Sequence, residues 1–279
     1  MMRRRSPRAV SSAGNSLLKV FRRALAEGTT PQGWLAVEGP FLVEEALNAA
    51  PTVSIHSLLA SKSALGKFSK LLERVTVEAE VAQVPDRLFA QVAQTQTPQG
   101  LAALVELPSH DLDQLLARSS SNGNTLLLVA CGIQDPGNLG TMLRSAQAFG
   151  ATGLVTLEDT VNPFNPKVTR SSAGAIFHVP LMRASACGGA RALFERLRGK
   201  GIRLVAADRR GPASLAEADL RAPLAILVGR EATGLPEEIS KEVHQFLSIP
   251  ICAGMDSLNA ASAASIFLYE AARQRGFKY

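Results

Sequence analysis

Three loops rich in glycine and small polar residues hold the side chains of this sequence that could do chemistry. They are Gly132-Ile133-Gln134-Asp135-Pro136-Gly137-Asn138-Leu139-Gly140, Gly229-Arg230-Glu231-Ala232-Thr233-Gly234-Leu235-Pro236, and the segment from Ile249-Pro250 through Gly254 to Ser257-Leu258-Asn259. Glycine lets backbone approach a ligand closely, so loops of this kind suit a binding site. The first two have the glycine spacing of a phosphate-binding loop. Asn138-Leu139 and Leu235-Pro236 stand, however, where such a loop needs Lys followed by Ser or Thr. This argues against hydrolysis of a nucleoside triphosphate. No Gly-x-Gly-x-x-Gly fingerprint follows a strand-like run, and no Gly-x-Ser-x-Gly elbow occurs, which argues against dinucleotide and acyl-transfer chemistry. His56, His110, His178 and His244 are scattered, and Cys131, Cys187 and Cys252 form no Cys-x-x-Cys pair, so no metal-ligand spacing is present. Cys252 lies in the third loop with no histidine near it in sequence. The odd cysteine count argues against a disulfide framework and fits a reducing, cytoplasmic compartment.

Loops that bind ligands in open α/β sheets leave the carboxyl ends of strands. The sequence supplies such strands. Thr125–Cys131 is a continuous apolar run, as a buried parallel strand requires. A helix is expected over Asn138–Gly150, with Asn138 placed to cap it and Gly150 to stop it. Gly153–Thr156, Ile202–Ala207, Leu224–Val228 and Phe246–Ile249 read as further strands, and His178 as the end of another apolar strand. Ala190–Arg198 reads as a helix. A long helix is expected over Ser257–Arg275, capped by Asp256 or Ser257. This half is a doubly wound, mostly parallel α/β sheet. Upstream, helices are expected over Ser16–Ala26, Phe41–Ala50 and Ser63–Glu73, and strands over Trp34–Val37, Val53–Leu59 and Gly100–Val105, which makes a smaller α/β domain. The polar run Ser119-Ser120-Ser121-Asn122-Gly123-Asn124 marks the join. The expected organisation is a basic leader at 1–28, a domain at 29–107, a linker at 108–123 and a second domain at 124–279.

A chain of 279 residues accommodates two domains, and a hydrophobic content of 46% excludes a wholly disordered chain. No run of ~18 apolar residues is present to span a membrane. The start, Met-Met-Arg-Arg-Arg-Ser-Pro-Arg, has no apolar stretch behind it and is not a secretory signal. The formal net charge is +6. The bias is concentrated early: Arg3, Arg4, Arg5, Arg8, Lys19, Arg22 and Arg23 precede the first acid, Glu27. Such a leader is either a contact for a polyanion or a solvated tail.

Taken together and in order, the three loops resemble the motifs of the SpoU/TrmH family of RNA ribose 2′-O-methyltransferases, within the knotted SPOUT superfamily. The first resemblance runs through Asn138-x-Gly140-x-x-x-Arg144-x-Ala146-x-x-Phe149-Gly150. The second is Gly229-x-Glu231-x-x-Gly234-Leu235, and the third is Ile249-Pro250 through Ser257-Leu258-Asn259 to Tyr269-Glu270. Weaker cues, Trp34–Gly39, Glu44–Leu47 and Thr97-Pro98-Gln99-Gly100, resemble the family's RNA substrate-binding domain, an α/β domain akin to RNA-binding ribosomal proteins.

The resemblance implies a deep trefoil knot in the C-terminal domain, S-adenosylmethionine as cofactor, no metal, an RNA substrate and a homodimer. It implies cofactor contacts at Gly229, Gly234, Ile249 and Leu258. It implies a catalytic set of Arg144, Asn138, Glu231, Ser257 and Asn259, with Glu231 placed to pair with Arg144 of the same or a partner subunit. A guanidinium offers five donors and no acceptor, so Arg144 is expected to position a phosphate and stabilise the forming alkoxide. Lys167, Arg170 and Arg203 would join a phosphate-binding face. Ribosomal RNA is the preferred substrate over transfer RNA. A silent RNA-binding relative is the first rival, against which the retained motif residues argue. A dinucleotide oxidoreductase is the second, and it lacks its fingerprint.

Overall fold

Strand-forming runs in this chain fall into two separate sheets. The structure is a computed structural model, and it describes residues 7–120, 125–255 and 257–277. Arg3, Arg4, Arg5, residues 121–124 and Asp256 lie outside the described residues. The chain divides into two compact units. The first comprises the residues up to Pro108 together with Phe164–Phe177, and the second Ser109–Pro163 together with His178 onward.

The first unit holds strands β1 (Arg8–Ala9), β2 (Leu35–Glu38), β3 (Ser54–Ser61), β4 (Glu80–Val84) and β5 (Leu101–Glu106), in the order β1-β4-β3-β5-β2. β5 runs antiparallel to both of its neighbours, and the other pairs are parallel. Helices α1 (Ser16–Glu27), α2 (Pro40–Asn48), α3 (Lys62–Lys67), α4 (Ser69–Leu72) and α5 (Asp86–Ala90) connect them. Residues Leu101–Val105 of β5 are all buried. On one face of the sheet Leu18, Phe21 and Leu25 of α1 pack with Leu59, Leu104 and Phe89. The helix expected over Ser63–Glu73 is two short ones, broken where Phe68 leaves helical geometry at φ −112°, ψ 29° just after Gly66. Strand β4 was not foreseen, because its Glu80 and Gln83 break up a short apolar pattern.

The second unit holds seven strands, all paired in parallel: β6 (Leu126–Ala130), β7 (Gly153–Thr156), β8 (Leu181–Arg183), β9 (Arg203–Ala207), β10 (Ala213–Ser214), β11 (Leu224–Val228) and β12 (Gln245–Ser248). Their order is β10-β12-β9-β11-β6-β7-β8. Helices α6 (Leu112–Ser120), α7 (Pro136–Ala148), α9 (Ala190–Gly199), α10 (Glu237–Ser240) and α11 (Ala260–Gln274) surround the sheet, and α8 (Pro166–Ser171) belongs to the first unit. Every residue of β6 and β11 is buried, as central parallel strands with both faces covered require. His178 follows a turn of 3-10 helix at Ala175–Phe177 rather than ending a strand.

Two caps differ from expectation. The helix after β6 starts at Pro136, and Asp135, not Asn138, caps it by accepting a bond from Asn138 N at 2.9 Å. Proline at the first helical position needs no N–H partner, which sets the start two residues early. The last helix starts at Ala260, and Asn259 caps it by accepting from Ala261 N and Ser262 N at 2.9 and 3.2 Å. Ser257 is therefore not the cap. From β12 the chain does not continue outward. It returns across the sheet, so that α11 packs on α7 and on the central strands β11 and β9. Small residues allow the approach: Ser145 and Ser265 oxygens meet at 2.6 Å between α7 and α11.

Candidate active site

Strand order reverses at β6 and β11, and the chain's three motif loops leave the sheet at this switch point or beside it. A cavity of about 390 Å³ opens at the carboxyl ends of β9, β11 and β12. Its apolar wall includes Val228, Leu247, Ile249, Leu258 and Phe267; Asp208, Arg209, Arg210 and Thr233 add polar groups.

The loop after β11 folds back on itself. Arg230 N donates to Gly234 O at 3.1 Å, and Gly234 N to Arg230 O at 2.8 Å. Gly234 sits at φ +67°, where glycine carries no penalty. A Cβ on Gly229 would lie 2.4 Å from the carbonyl carbon of Gly234, so only glycine closes this turn. Arg230 crosses to the loop after β6, donating to Gly132 O at 3.2 Å and pairing with Asp159 at 3.3 Å. Thr160 Oγ1 completes the bracket, accepting from Gly132 N and donating to Ala130 O, each at 3.0 Å.

Asn138, Glu231 and Asn259, one from each motif, meet at a single point. Glu231 Oε1 accepts from Asn138 Nδ2 at 2.9 Å, Asn259 Nδ2 at 2.7 Å and Ala260 N at 3.2 Å. Asn259 Nδ2 also donates to Asn138 Oδ1 at 2.9 Å. Within one chain Glu231 is thus a junction between loops and does not meet Arg144. The carboxylate reaches amide donors on two neighbouring loops. Arg144 is carried on the other side of α7. Leu139, Met142, Leu143 and Ala146 bury one face of that helix, and Arg144 projects from the exposed face. It makes no hydrogen bond or ion pair with any described residue and does not line the cavity.

The structure therefore brings Gly229, Glu231, Gly234, Ile249, Ser257 and Leu258 to the cavity and ties Asn138 and Asn259 to its edge. It leaves Arg144 apart, on solvent. Arg203 is engaged elsewhere, donating to the Asp219 carbonyl. Lys167 and Arg170 stand exposed on α8. Sequence reasoning passed over Asp208, Arg209 and Arg210 at the cavity and Arg230 as a loop bracket. The short polar stretch directly after the β9 run was the signal available. Among the described residues no group of three or more His, Cys, Asp or Glu could hold a metal ion. Cys131 is fully buried, and burial pushes its thiol pKa up.

This parallel sheet with a returning C-terminal helix and a three-loop cavity defines a SPOUT-fold methyltransferase. The SpoU rRNA Methylase family matches residues 125–269, and the RNA 2′-O ribose methyltransferase substrate-binding family matches residues 36–111. A 23S rRNA (uridine(2479)-2′-O)-methyltransferase of Streptomyces viridochromogenes is 34% identical over 76% of this chain and 73% of its own. The 23S rRNA (guanosine(2553)-2′-O)-methyltransferase RlmP of Bacillus subtilis is 27% identical over 93% of this chain and 97% of its own. The solved SpoU methyltransferase AviRb of S. viridochromogenes, in complex with AdoMet, superposes with a TM-score of 0.80 at 30% identity, covering 94% of this chain and 98% of that one. The chain belongs to the SpoU methylase family. It is an RNA 2′-O-methyltransferase that uses S-adenosylmethionine.

The cavity fits that cofactor chemically. Its apolar wall suits an adenine ring, its polar groups suit a ribose and an amino-acid tail, and Gly229 and Gly234 line it without side chains.

Proposed function

We propose that this chain methylates a ribose 2′-hydroxyl of ribosomal RNA, with its two compact units dividing the work. The second, Ser109–Pro163 together with His178 onward, performs the transfer. The first, the residues up to Pro108 with Phe164–Phe177, holds the RNA; the expected leader contributes α1 to its core, and the expected linker is helix α6 of the second unit. The observation that carries the reading is the meeting of Asn138, Glu231 and Asn259 beside a cavity lined by Gly229, Ile249 and Leu258.

Bound S-adenosylmethionine supplies a methyl carbon activated by its sulfonium sulfur. Gly229, Gly234, Ile249 and Leu258 would hold it through backbone groups and apolar walls. Ser257 offers a hydroxyl beside it. The Asn138–Glu231–Asn259 junction fixes the three loops relative to one another, and so would hold the cofactor and the target hydroxyl in a fixed relation. Arg144 donates to a substrate phosphate and to the oxygen on which negative charge develops, and a phosphate oxygen takes the proton. Two relatives act on 23S rRNA by name, which supports the choice of ribosomal over transfer RNA.

The working form is a homodimer in the cytoplasm. In support, Ile266 and Tyr269 on α11 are 37% and 46% exposed, an unusual position for large apolar side chains. None of the described helices is long and apolar enough to cross a membrane.

The deciding test is transfer of labelled methyl from S-adenosylmethionine to purified ribosomal and transfer RNA, followed by mapping of 2′-O-methyl positions. Label in ribosomal RNA at a ribose supports the proposal. Label in transfer RNA alone, or on a base, overturns it. Sedimentation at micromolar concentration decides the dimer.

A further inference from the structure

We propose that Trp34 and His56 form a stacking platform that captures an unpaired base of the RNA substrate; the proposal rests on the RNA reading of the first unit. Their rings stack with centroids 3.6 Å apart and planes inclined by 23°. The pair is built by two local devices. On one side, the turn Thr30-Pro31-Gln32-Gly33 closes through Gly33 N to Thr30 O at 2.9 Å, with Gly33 at φ +88°. That turn delivers Trp34 to the start of β2, where its N–H donates to Thr30 Oγ1 at 3.2 Å. On the other side, β3 carries a bulge. Ile55 pairs with Val105 and Ser57 with Leu104, so His56 is the extra, unpaired residue. A bulge re-aims the side chain it releases. Ser57 goes into the core, and the His56 ring leans onto the indole.

The stack is open on one side only. Trp34 is half-buried and packs against the core of the first unit, whereas His56 is exposed. The imidazole thus offers a flat face to solvent, backed by a rigid indole. Such a surface takes another flat π-system. At the end of β5, Glu106 pairs with Ser54 of β3 and follows Val105, which pairs with Leu35 beside Trp34; Ser54 Oγ donates to its Oε2 at 3.5 Å. A carboxylate there repels phosphate and accepts from base amino groups, so the occupant is a base rather than backbone. Bases can reach such a platform only from single-stranded or splayed RNA.

Trp34 is the only tryptophan in the chain, so its emission reports this site alone. The full chain is titrated with a short single-stranded oligoadenylate, and binding is followed separately by anisotropy of labelled RNA. The expected result is quenching of Trp34 emission on binding. His56→Ala should lose the quenching and bind about tenfold more weakly, and His56→Phe should restore both. Inorganic polyphosphate should leave the emission unchanged. Unchanged emission with bound RNA, wild-type affinity in His56→Ala, equal quenching by polyphosphate, or no binding of the oligonucleotide would each overturn the platform. Methyl transfer to ribosomal RNA is measured in parallel. Transfer without quenching removes the platform and leaves the enzymatic reading; quenching without transfer does the reverse.

Discussion

The Asn138–Glu231–Asn259 junction and the Arg144 side chain belong to the same stretch of the second unit, yet the fold completes one and leaves the other open. At the junction Glu231 Oε1 takes three donors and Asn259 spends its oxygen on capping α11. Arg144, about 9 Å further along the α7 axis than Asn138, has no partner among the described residues. The difference teaches where preorganisation lies. Loops that must hold a small cofactor are fixed before it arrives. In the proposed role of Arg144, a group that grips a flexible polyanion keeps all its donors for the substrate, where charge-assisted bonds are strongest.

The sharpest way to break this contrast is Arg144→Ala. Turnover should fall by about a hundredfold or more, as for loss of one donor to a developing oxyanion. Binding of S-adenosylhomocysteine, measured by calorimetry, should stay within about tenfold. Folding should be untouched, since the guanidinium supports nothing. Near-normal turnover would remove Arg144 from the chemistry. Next in size is Gly229→Ala, which should act the opposite way. Its Cβ would meet Gly234 at 2.4 Å and force the loop open. Cofactor affinity should fall by at least about tenfold, with RNA affinity unchanged. An equal loss in both would show that the loop serves the whole unit rather than the cavity.

Glu231→Ala probes the junction itself. Removing the acceptor takes a partner from two amides and the Ala260 N–H, which at this exposed junction should cost no more than about 1 kcal/mol of stability. Thermal unfolding and cofactor binding should fall together, whereas Arg144→Ala separates them. Stability that stays at the wild-type level would mean water replaces the carboxylate, and the junction would then be a product of packing rather than its cause.

Much of this contrast was legible in the sequence, and the part that was not has identifiable causes. Continuous apolar runs gave Leu126–Ala130 and Leu224–Val228 within a residue or so, because buried parallel strands tolerate nothing else. The three loops were found because glycine, proline and asparagine cluster there. Within one chain Glu231 does not meet Arg144. Opposite charge favours an arginine, but Arg144 is turned away by the apolar face of α7, a fact of tertiary register that spacing alone does not contain. The caps moved for a related reason: Asp135-Pro136 and Asn259-Ala260 are stronger starts than the residues chosen. Strand β4 and the bulge at His56 left no periodic trace, since five residues with two polar ones, or one extra residue in a strand, fall below what alternation can reveal.

The smallest expected effect lies at the far end of α11, and it sharpens the contrast by being purely structural. Glu270 accepts from Arg273 Nη2 and Gln274 Nε2, each at 2.7 Å. Gln274 in turn holds Leu220 N and the Ala218 carbonyl, each at 2.8 Å. The Arg273 guanidinium beside it holds the Glu270 carboxyl below the usual glutamate range. A folded-state pKa below the unfolded one means the carboxylate stabilises the fold above the ordinary glutamate value, and that contribution fades as pH falls through it. The arginine is half exposed, so screening keeps the effect under ~1 kcal/mol. Glu270→Gln should therefore lower the urea midpoint slightly at neutral pH and converge with wild type on acidification. Methyl transfer should be unaffected, because the helix end that bears Asn259 is held by its own cap. A variant that lost turnover while keeping stability would show that the two ends of α11 are coupled, and that the site depends on the anchoring of its last turn as well as on the junction at its first.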